Sequence, residues 1–421
     1  MADDESTFRA PRGTRDVLPP ESWQFHEVVR LAMDLFAEAG YAPIETPAFE
    51  HTEVFERGVG ATSEVVGKQM YTFLDRGERS LTLRPEGTAP VVRAVLEHNL
   101  HRGPLPVKLS YGSWMFRQER PQKGRYRQFF QVGIEAIGSD SPLVDAEVIE
   151  IGTRFYSAAG LDTTLLLNSI GHPDPSCRQG YSAVLAEYLE RHRSALAEDD
   201  RERITTNPLR TFDSKEAATK EVMRDAPLIR DHLCDACRKH FETVCGLLDD
   251  LDVAYTLEPT LVRGLDYYTR TALEFVAGGL GSQNAVGGGG RYDGLSEALG
   301  GPPLPGIGIA PGIDRILIAR GAREAAAEGR VEVYVVAVGE RAAPEALATV
   351  TTLRRAGVGA DLDLMGRSMK GQMKDAVRSG ARWAVILGDD ELASRSATLK
   401  DLASEEQRSV PFDELVSVVS P

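Results

Sequence analysis

The sequence predicts an α+β domain built on an antiparallel sheet with flanking helices, broken by a helical insertion and followed by a separate α/β unit. Three observations predict it. Residues Gly112–Gly138 form two apolar-alternating runs around a loop carrying Pro121 and Gly124, the pattern of an antiparallel hairpin. From Gly171 to about Asp252, helical periodicity and dense charge replace strand-like runs, which resume at Tyr255. Beyond Arg330, strand and helix patterns alternate, the mark of a small α/β fold with a parallel or mixed sheet. The boundaries read as 1–170, first part of the main domain; 171–254, insertion; 255–326, second part; and 330–421, C-terminal unit.

Taken in order, Pro11–Asp16 is a polar entry loop before a helix from about Glu21 to Ala39, which Gly40 ends. Tyr41–Pro47 reads as a strand that Pro43 and Pro47 confine to an edge or an interface. Gly58–Gly67 is a glycine-punctuated loop, Met70–Asp75 and Ser80–Leu83 are hairpin-like strands, and Ala89–Asn99 is a helix. The central hairpin follows, then a helix over Asp145–Ala159. After the insertion, Tyr255–Glu258 and Leu261–Phe275 read as strands. Gly278–Gly290 is expected to be a loop, and Gly306–Ile313 a strand running into a helix near Asp314-Arg315. Arg320–Arg330 bridges to the last unit. There Val331–Val338, Ala360–Leu364, Trp383–Leu387 and Thr398–Leu402 read as strands, with helices over Pro344–Ala356, Ser368–Ser379 and Phe412–Val419.

A chain of 421 residues exceeds one core, so two or three domains follow. A hydrophobic share of 42% and a charged share of 26% are those of a globular protein. The net charge of −15 argues against a nonspecific DNA-coating protein, and no DNA partner is expected; it does not exclude a nucleic-acid partner, because local basic patches decide docking. The acidic start has no apolar signal segment, and no run approaches the ~20 apolar residues of a membrane helix. A cytoplasmic location without membrane association is expected. Cysteines at 177, 234, 237 and 245 are too few for a disulfide scaffold of this size.

Candidate chemistry concentrates in the hairpin. Period-2 spacing puts Phe129, Gln131, Gly133 and Glu135 on one face and Phe130, Val132, Ile134 and Ala136 on the other, a core face. Arg117, Arg120, Lys123, Arg125 and Arg127 place cations over that acceptor-lined face, which suits a polyphosphate beside a small zwitterion. In Arg263-Gly-Leu-Asp-Tyr267-Tyr268-Thr-Arg270, two tyrosines offer rings and hydroxyls to a polar ligand. Strict alternation would set Arg263 with Tyr267 and turn Tyr268 away, unless Gly264 bulges. Gly287–Gly290 is not a dinucleotide loop, because no βαβ unit encloses it; tight packing against a ligand is the better reading. Gly67-Lys68-Gln69 lacks the Ser or Thr of a phosphate loop. Arg367, Lys370, Lys374 and Arg378 form one basic stripe on a helix, a candidate contact for nucleic-acid phosphates or simply a solvated face. Cys234-Asp-Ala-Cys237 has zinc-knuckle spacing, and Cys177 stands five residues after His172. Their convergence would give a structural Cys₃His zinc site; reduced, partly buried thiols are the other reading.

Together these residues resemble a class II aminoacyl-tRNA synthetase, and in particular the histidyl-tRNA synthetase family. Gly40–Pro47 resembles the first class motif, at a dimer interface; Phe116-Arg117-Gln-Glu119 through Phe129 the second; and Gly306–Arg315 the third. Arg263–Tyr268, Gly288–Asp293 and Leu83–Thr88 resemble the histidine-specific signatures, and the motifs of the other synthetase class are absent. The resemblance implies ATP as substrate with Mg²⁺, L-histidine and tRNA(His) as partners, a homodimer, and an anticodon-binding C-terminal domain. By position it implies that Arg117 holds the α-phosphate, Phe129 and Arg315 sandwich the adenine, Glu119 lies by the adenine or ribose, and Arg125 meets the γ-phosphate. Glu86, Thr88 and Gln131 would bind the amino and carboxylate ends of histidine, with Gly87, Tyr267 and Tyr292 in the same pocket. Glu135 and Tyr268 would hold the imidazole nitrogens. Arg263 would lie between the carboxylate and the α-phosphate, making Arg117 and Arg263 the catalytic pair. No metal ligand is implied in this site. The synthetase-like regulatory subunits of histidine biosynthesis are the main rival; they lack the C-terminal domain and lose catalytic positions.

Overall fold

The computed structural model describes residues 8–420 except 61, 62, 64, 121, 123, 282, 283 and 322–330. The acidic start, Pro121 and Lys123 of the hairpin loop, and most of the bridge to the last unit lie outside them. The chain divides into two compact units, Met1–Ala322 and Arg323–Pro421.

The strands of the first unit are β1 (Ala42–Pro43), β2 (Phe49–His51), β3 (Tyr71–Leu74), β4 (Ser80–Leu83), β5 (Val107–Phe116), β6 (Gln128–Ile137), β7 (Thr163–Ser169), β8 (Thr256–Leu257), β9 (Thr269–Ala277), β10 (Ala285–Arg291) and β11 (Gly306–Ile309). Eight form one sheet in the order β1-β5-β6-β11-β10-β9-β7-β8, and β2-β4-β3 form a small second sheet. Pairing in the large sheet is antiparallel except at its margins, where β1 joins β5 and β8 joins β7 in parallel.

The hairpin β5–β6 pairs without a break from Val107↔Ile137 to Phe116↔Gln128. Its alternation sorts the faces as period 2 requires. Val132, Ile134 and Ala136 join a core with Phe25, Val28 and Phe36 of helix Glu21–Glu38 and Phe155 of helix Pro142–Ala158. Phe130 packs on Phe25 and Trp114. The opposite face carries the candidate site. Helix Ile313–Arg320 is pinned to β6 by Asp314, whose carboxylate accepts from Phe130 N–H at 3.0 Å and from Arg15 at 2.8 Å.

Three expectations need correction. Gly278–Gly290 is not loop throughout: Ala285–Arg291 is an interior strand, because neighbouring groups lie so close to both its faces that side chains are excluded. Tyr41–Pro47 is strand only at Ala42–Pro43, which sits at the sheet edge, the place a strand carrying Pro43 can occupy. Strand structure begins at Thr269, not Leu261, so Arg263, Tyr267 and Tyr268 lie on an irregular segment where alternation does not apply. Strand β7, between the helix Pro142–Ala158 and the insertion, lay outside the sequence reading.

The insertion runs through helices Arg178–Arg191, Ala217–Met223 and Asp235–Asp250 with short turns between. It has no separate core. Tyr181, Leu185, Leu189, Ile204, Met223 and Leu233 cluster with Tyr267, Tyr268 and Tyr292 of the main domain, while Val244 and Leu248 pack into the core behind the sheet.

In the second unit, β12 (Val333–Ala337), β13 (Ala360–Leu362), β14 (Trp383–Leu387), β15 (Ser396–Asp401) and β16 (Gln407–Pro411) make a mixed sheet ordered β13-β12-β14-β15-β16. Helix Ala342–Arg355 seals one face through Ala346, Val350 and Leu353, and helix Met369–Arg378 lies on the other through Ala376. The strand Gln407–Pro411 and helix Asp389–Ser394 have no counterpart in the sequence reading. Arg367 stands before the helix, not on it, and is held by Asp363 and Asp375; Arg378 also pairs with Asp375, at 2.6 Å. Lys370 and Lys374 are exposed. The stripe is therefore half neutralised.

Candidate active site

A cavity of about 900 Å³ opens over the site-bearing face of the sheet. The histidine- and ATP-site residues implied by the resemblance line it except Glu135 and Tyr292, which lie just beneath. Of the other hairpin cations, Arg120 does not line it, Arg127 turns instead to the carbonyls of Glu119 and Arg12, and Lys123 lies outside the described residues.

One end is a buried acidic pocket. Glu86 caps helix Thr88–Glu97, its two oxygens accepting from the N–H groups of Thr88 at 2.7 Å and Ala89 at 2.9 Å, with the Tyr267 hydroxyl at 3.3 Å. Helix N-termini attract a carboxylate in this way. Glu135 accepts from Tyr292 at 2.6 Å, from Thr88 Oγ1 at 2.7 Å and from Tyr111 at 3.4 Å. Burial pushes the Glu135 carboxyl up to about 8, working against the bonds from Tyr292 and Thr88, and the nearby Glu86 adds to the rise. Burial likewise raises Glu86, against the two backbone N–H groups. Two carboxylates held close in a dry pocket favour a cationic or N–H-rich ligand. Gln131 presents a buried amide oxygen with no hydrogen-bond partner among the described residues, while its nitrogen reaches Ala310 O at 3.4 Å. Such an acceptor suits an ammonium donor.

The other end is cationic. Arg117 anchors through Nε to Pro85 O at 2.9 Å and lies 5.3 Å over the Phe129 ring. Glu119 sits 3.2 Å from Arg125 and 4.0 Å from Arg117. Burial pushes Arg315 down, with Arg125 adding repulsion, so an anion between them would be welcome. Arg263 pairs with Glu274 at 2.5 Å. Burial works most strongly against its charge, but Glu274, Tyr268 and Asp213 together outweigh that and the net shift is upward. The guanidinium lies flat on the glycine strand: a Cβ at Gly288 would sit 2.5 Å from Nη2. It also faces the Tyr268 ring at 5.7 Å. Arginine and both tyrosines thus share the cavity, which alternation alone would forbid.

Several contributors were not singled out from sequence. Glu274 holds Arg263. Tyr111 lies between Glu86 and Glu135. Arg291 turns away from the pocket and is fully buried, binding Asp145 at 2.7 Å and the carbonyls of Ser139 and Ser141 at 3.0 Å. The insertion also lines the cavity: Arg210 donates to Gly264 O at 2.6 Å and pairs with Asp266, and burial lifts Asp213 to about 6 despite Arg210 and Arg263.

An antiparallel sheet with the second and third motifs meeting in one cleft and the first at its edge, in a chain that also carries a mixed-sheet C-terminal unit, defines a class II aminoacyl-tRNA synthetase. Residues 13–316 match the family model described as histidyl-tRNA synthetase, and residues 332–420 the anticodon binding domain. The chain belongs to the histidyl-tRNA synthetase family and is thereby an aminoacyl-tRNA ligase for histidine. It is 50% identical to a histidine–tRNA ligase of Corynebacterium kroppenstedtii over 415 residues, covering 98% of this chain and 96% of the relative. A histidine–tRNA ligase of Saccharopolyspora erythraea is 51% identical, with 98% of each chain covered. The crystal structure of apo histidyl-tRNA synthetase from S. aureus superposes with a TM-score of 0.82 at 37% identity, covering 98% of this chain and all of that one.

Proposed function

We propose that the cavity activates L-histidine with ATP to histidyl-adenylate and pyrophosphate, and then passes histidine to the 3′ end of tRNA(His). The observation that carries this reading is a single cavity lined by Glu86 at one end, with Glu135 beneath it on Thr88, and by Arg117, Arg125, Arg263 and Arg315 at the other. Histidine enters the acidic end. Its ammonium meets Glu86, Thr88 and the unsatisfied Gln131 oxygen beside the Gly87 backbone; its imidazole meets Glu135 and Tyr268, with Tyr267 and Tyr292 as walls. ATP lies in the cationic end, its adenine between Phe129 and Arg315 with Glu119 beside it. Arg117 holds the α-phosphate and Arg125 the γ-phosphate.

The carboxylate of histidine attacks the α-phosphorus in line, and pyrophosphate leaves. Arg117 and Arg263 face the charge that grows on the α-phosphate oxygens; fixed donors of this kind do most where water is excluded. The cleft carboxylates Glu119 and Glu274 are each committed to an arginine. They do not form a cation cage, so Mg²⁺ comes with ATP as the substrate complex, on the outer phosphates. Selectivity follows from the buried carboxyl: an amino acid without an imidazole N–H brings no donor to offset the cost of ionising Glu135 in its buried site, and discrimination on that basis reaches roughly 10⁴.

A homodimer through the edge at β1, where Ala42 and Pro43 are exposed, and a cytoplasmic location complete the reading. Among the described residues, no helix is long and apolar enough to cross a membrane. The regulatory-subunit alternative fits less well, because the C-terminal unit and the Arg117, Arg263 and Arg315 set are all present. The deciding experiment is ATP–pyrophosphate exchange with each amino acid in turn. Exchange with histidine alone is expected; exchange with none, or with another amino acid at the same rate, overturns the reading.

A further inference from the structure

Away from the cavity, four potential ligands meet at the root of the insertion. One nitrogen of His172 and the sulfurs of Cys177, Cys234 and Cys237 all lie within 4.8 Å of one another. His172 Nδ1 is 3.1 Å from Cys237 Sγ and 3.8 Å from Cys234 Sγ. Tetrahedral zinc with Zn–S bonds of about 2.3 Å requires sulfurs roughly 3.8 Å apart, so the four atoms need little movement to close on an ion.

The backbone is arranged for it. Cys177 precedes helix Arg178–Arg191, and Cys234 caps helix Asp235–Asp250, its sulfur accepting from Cys237 N–H at 3.5 Å. Gly171 has φ +64°, and a Cβ there would lie 2.7 Å from Cys177 Sγ. None of the four cysteines is in a disulfide. Three thiols and an imidazole converging from two distant segments are a borderline-soft donor set, the kind that selects zinc over magnesium or calcium.

We propose that His172, Cys177, Cys234 and Cys237 bind a structural zinc ion that staples both ends of the insertion to the main domain. The need is physical. The insertion has no core of its own, and closing a loop from residue 177 to residue 234 restricts the unfolded chain as a cross-link does. The ion also secures the neighbouring Arg178, whose guanidinium donates to Tyr268 O at 2.5 Å. The staple thereby steadies the wall of the histidine pocket.

The test is elemental analysis of the full-length protein, purified from zinc-replete cells and dialysed against a mild chelator, with cobalt(II) as spectroscopic probe after zinc removal. About one zinc per chain is expected, and a cobalt form with a thiolate-to-metal charge-transfer band saturating at one equivalent. Cys234→Ser and His172→Ala should each lower retained zinc at least tenfold, whereas Cys245→Ser should retain it. Stripping the zinc should lower the melting temperature. Protein that holds no zinc, gives no thiolate band with cobalt and has all its thiols free to a colorimetric reagent overturns the proposal. So does zinc retained equally by Cys234→Ser and His172→Ala. If those two variants fail to fold, the metal count and cobalt spectrum of the wild type and of Cys245→Ser decide.

Discussion

The carboxylate of Glu135 rests directly on Gly308, its cross-strand neighbour on β11: a Cβ at position 308 would lie 1.9 Å from Oε2. The glycine is thus part of the pocket floor, because any side chain would lift the carboxylate away from Tyr292 and Thr88. Gly308→Ala should raise KM for histidine at least tenfold while leaving KM for ATP nearly unchanged, and should cost about 1–3 kcal/mol of stability as an overpacked site. Exchange kinetics at varied histidine and ATP, with a urea melt, check both. An unaltered KM for histidine would contradict this placement.

Glu135 should also leave a pH signature on stability. Its carboxyl is raised from 4.5 to about 8 in the folded protein. The folded state therefore keeps a proton that the unfolded chain releases above pH ~4.5. That contribution is fully present below this value and is lost as pH rises through about 8. Between these limits the ligand-free wild type should lose stability more steeply than Glu135→Gln, by up to ~1.4 kcal/mol per pH unit. Urea unfolding at a series of pH values reads the two slopes, and parallel slopes would count against a raised Glu135.

Arg263 depends on a surface without side chains. Arg263→His should lower histidine-dependent exchange by about 10²–10³, the scale for losing one transition-state donor. Gly288→Ala should reduce it in the same direction without altering the arginine, since the new methyl occupies the place of Nη2. Rates near normal in both variants would remove Arg263 from the reaction.

Helix Met369–Arg378 of the second unit offers a separable test of RNA contact. Arg367 and Arg378 are already held by Asp363 and Asp375, which leaves Lys370 and Lys374 as the exposed cations of the stripe outside those ion pairs. The double variant Lys370→Glu/Lys374→Glu should weaken tRNA charging and flatten its salt dependence by about 1–2 in log–log slope, with exchange intact. Equal loss of both activities would indicate misfolding.

Asp145 and Arg291 form a fully buried pair, with His240 3.3 Å from the same carboxylate. Asp145→Asn leaves the guanidinium with the partly exposed Asp293, 3.1 Å away, as its remaining counter-charge, and should cost up to about 3–5 kcal/mol, read from denaturant unfolding. A cost below about 1 kcal/mol would mean that Asp293 and the carbonyls of Ser139 and Ser141 suffice.

The faces of the strands are legible in the residue pattern. Alternation from Phe129 to Ala136 sorts core from pocket because a strand's period is a property of the backbone, wherever the strand is placed. The motifs carried the candidate residues for the same reason: their chemistry is written in side-chain type. What lies against what depends on contacts between distant segments. The glycine run 287–290 became an interior strand because Arg263, Tyr156 and β11 crowd it from distant parts of the chain. Arg263 and Tyr268 share a cavity because their segment is irregular, and Glu274 and Arg210 hold it there. The basic stripe lost half its charge to Asp363 and Asp375. Each of these turns on contact between segments far apart in sequence or turned together by a loop, which no local period can record.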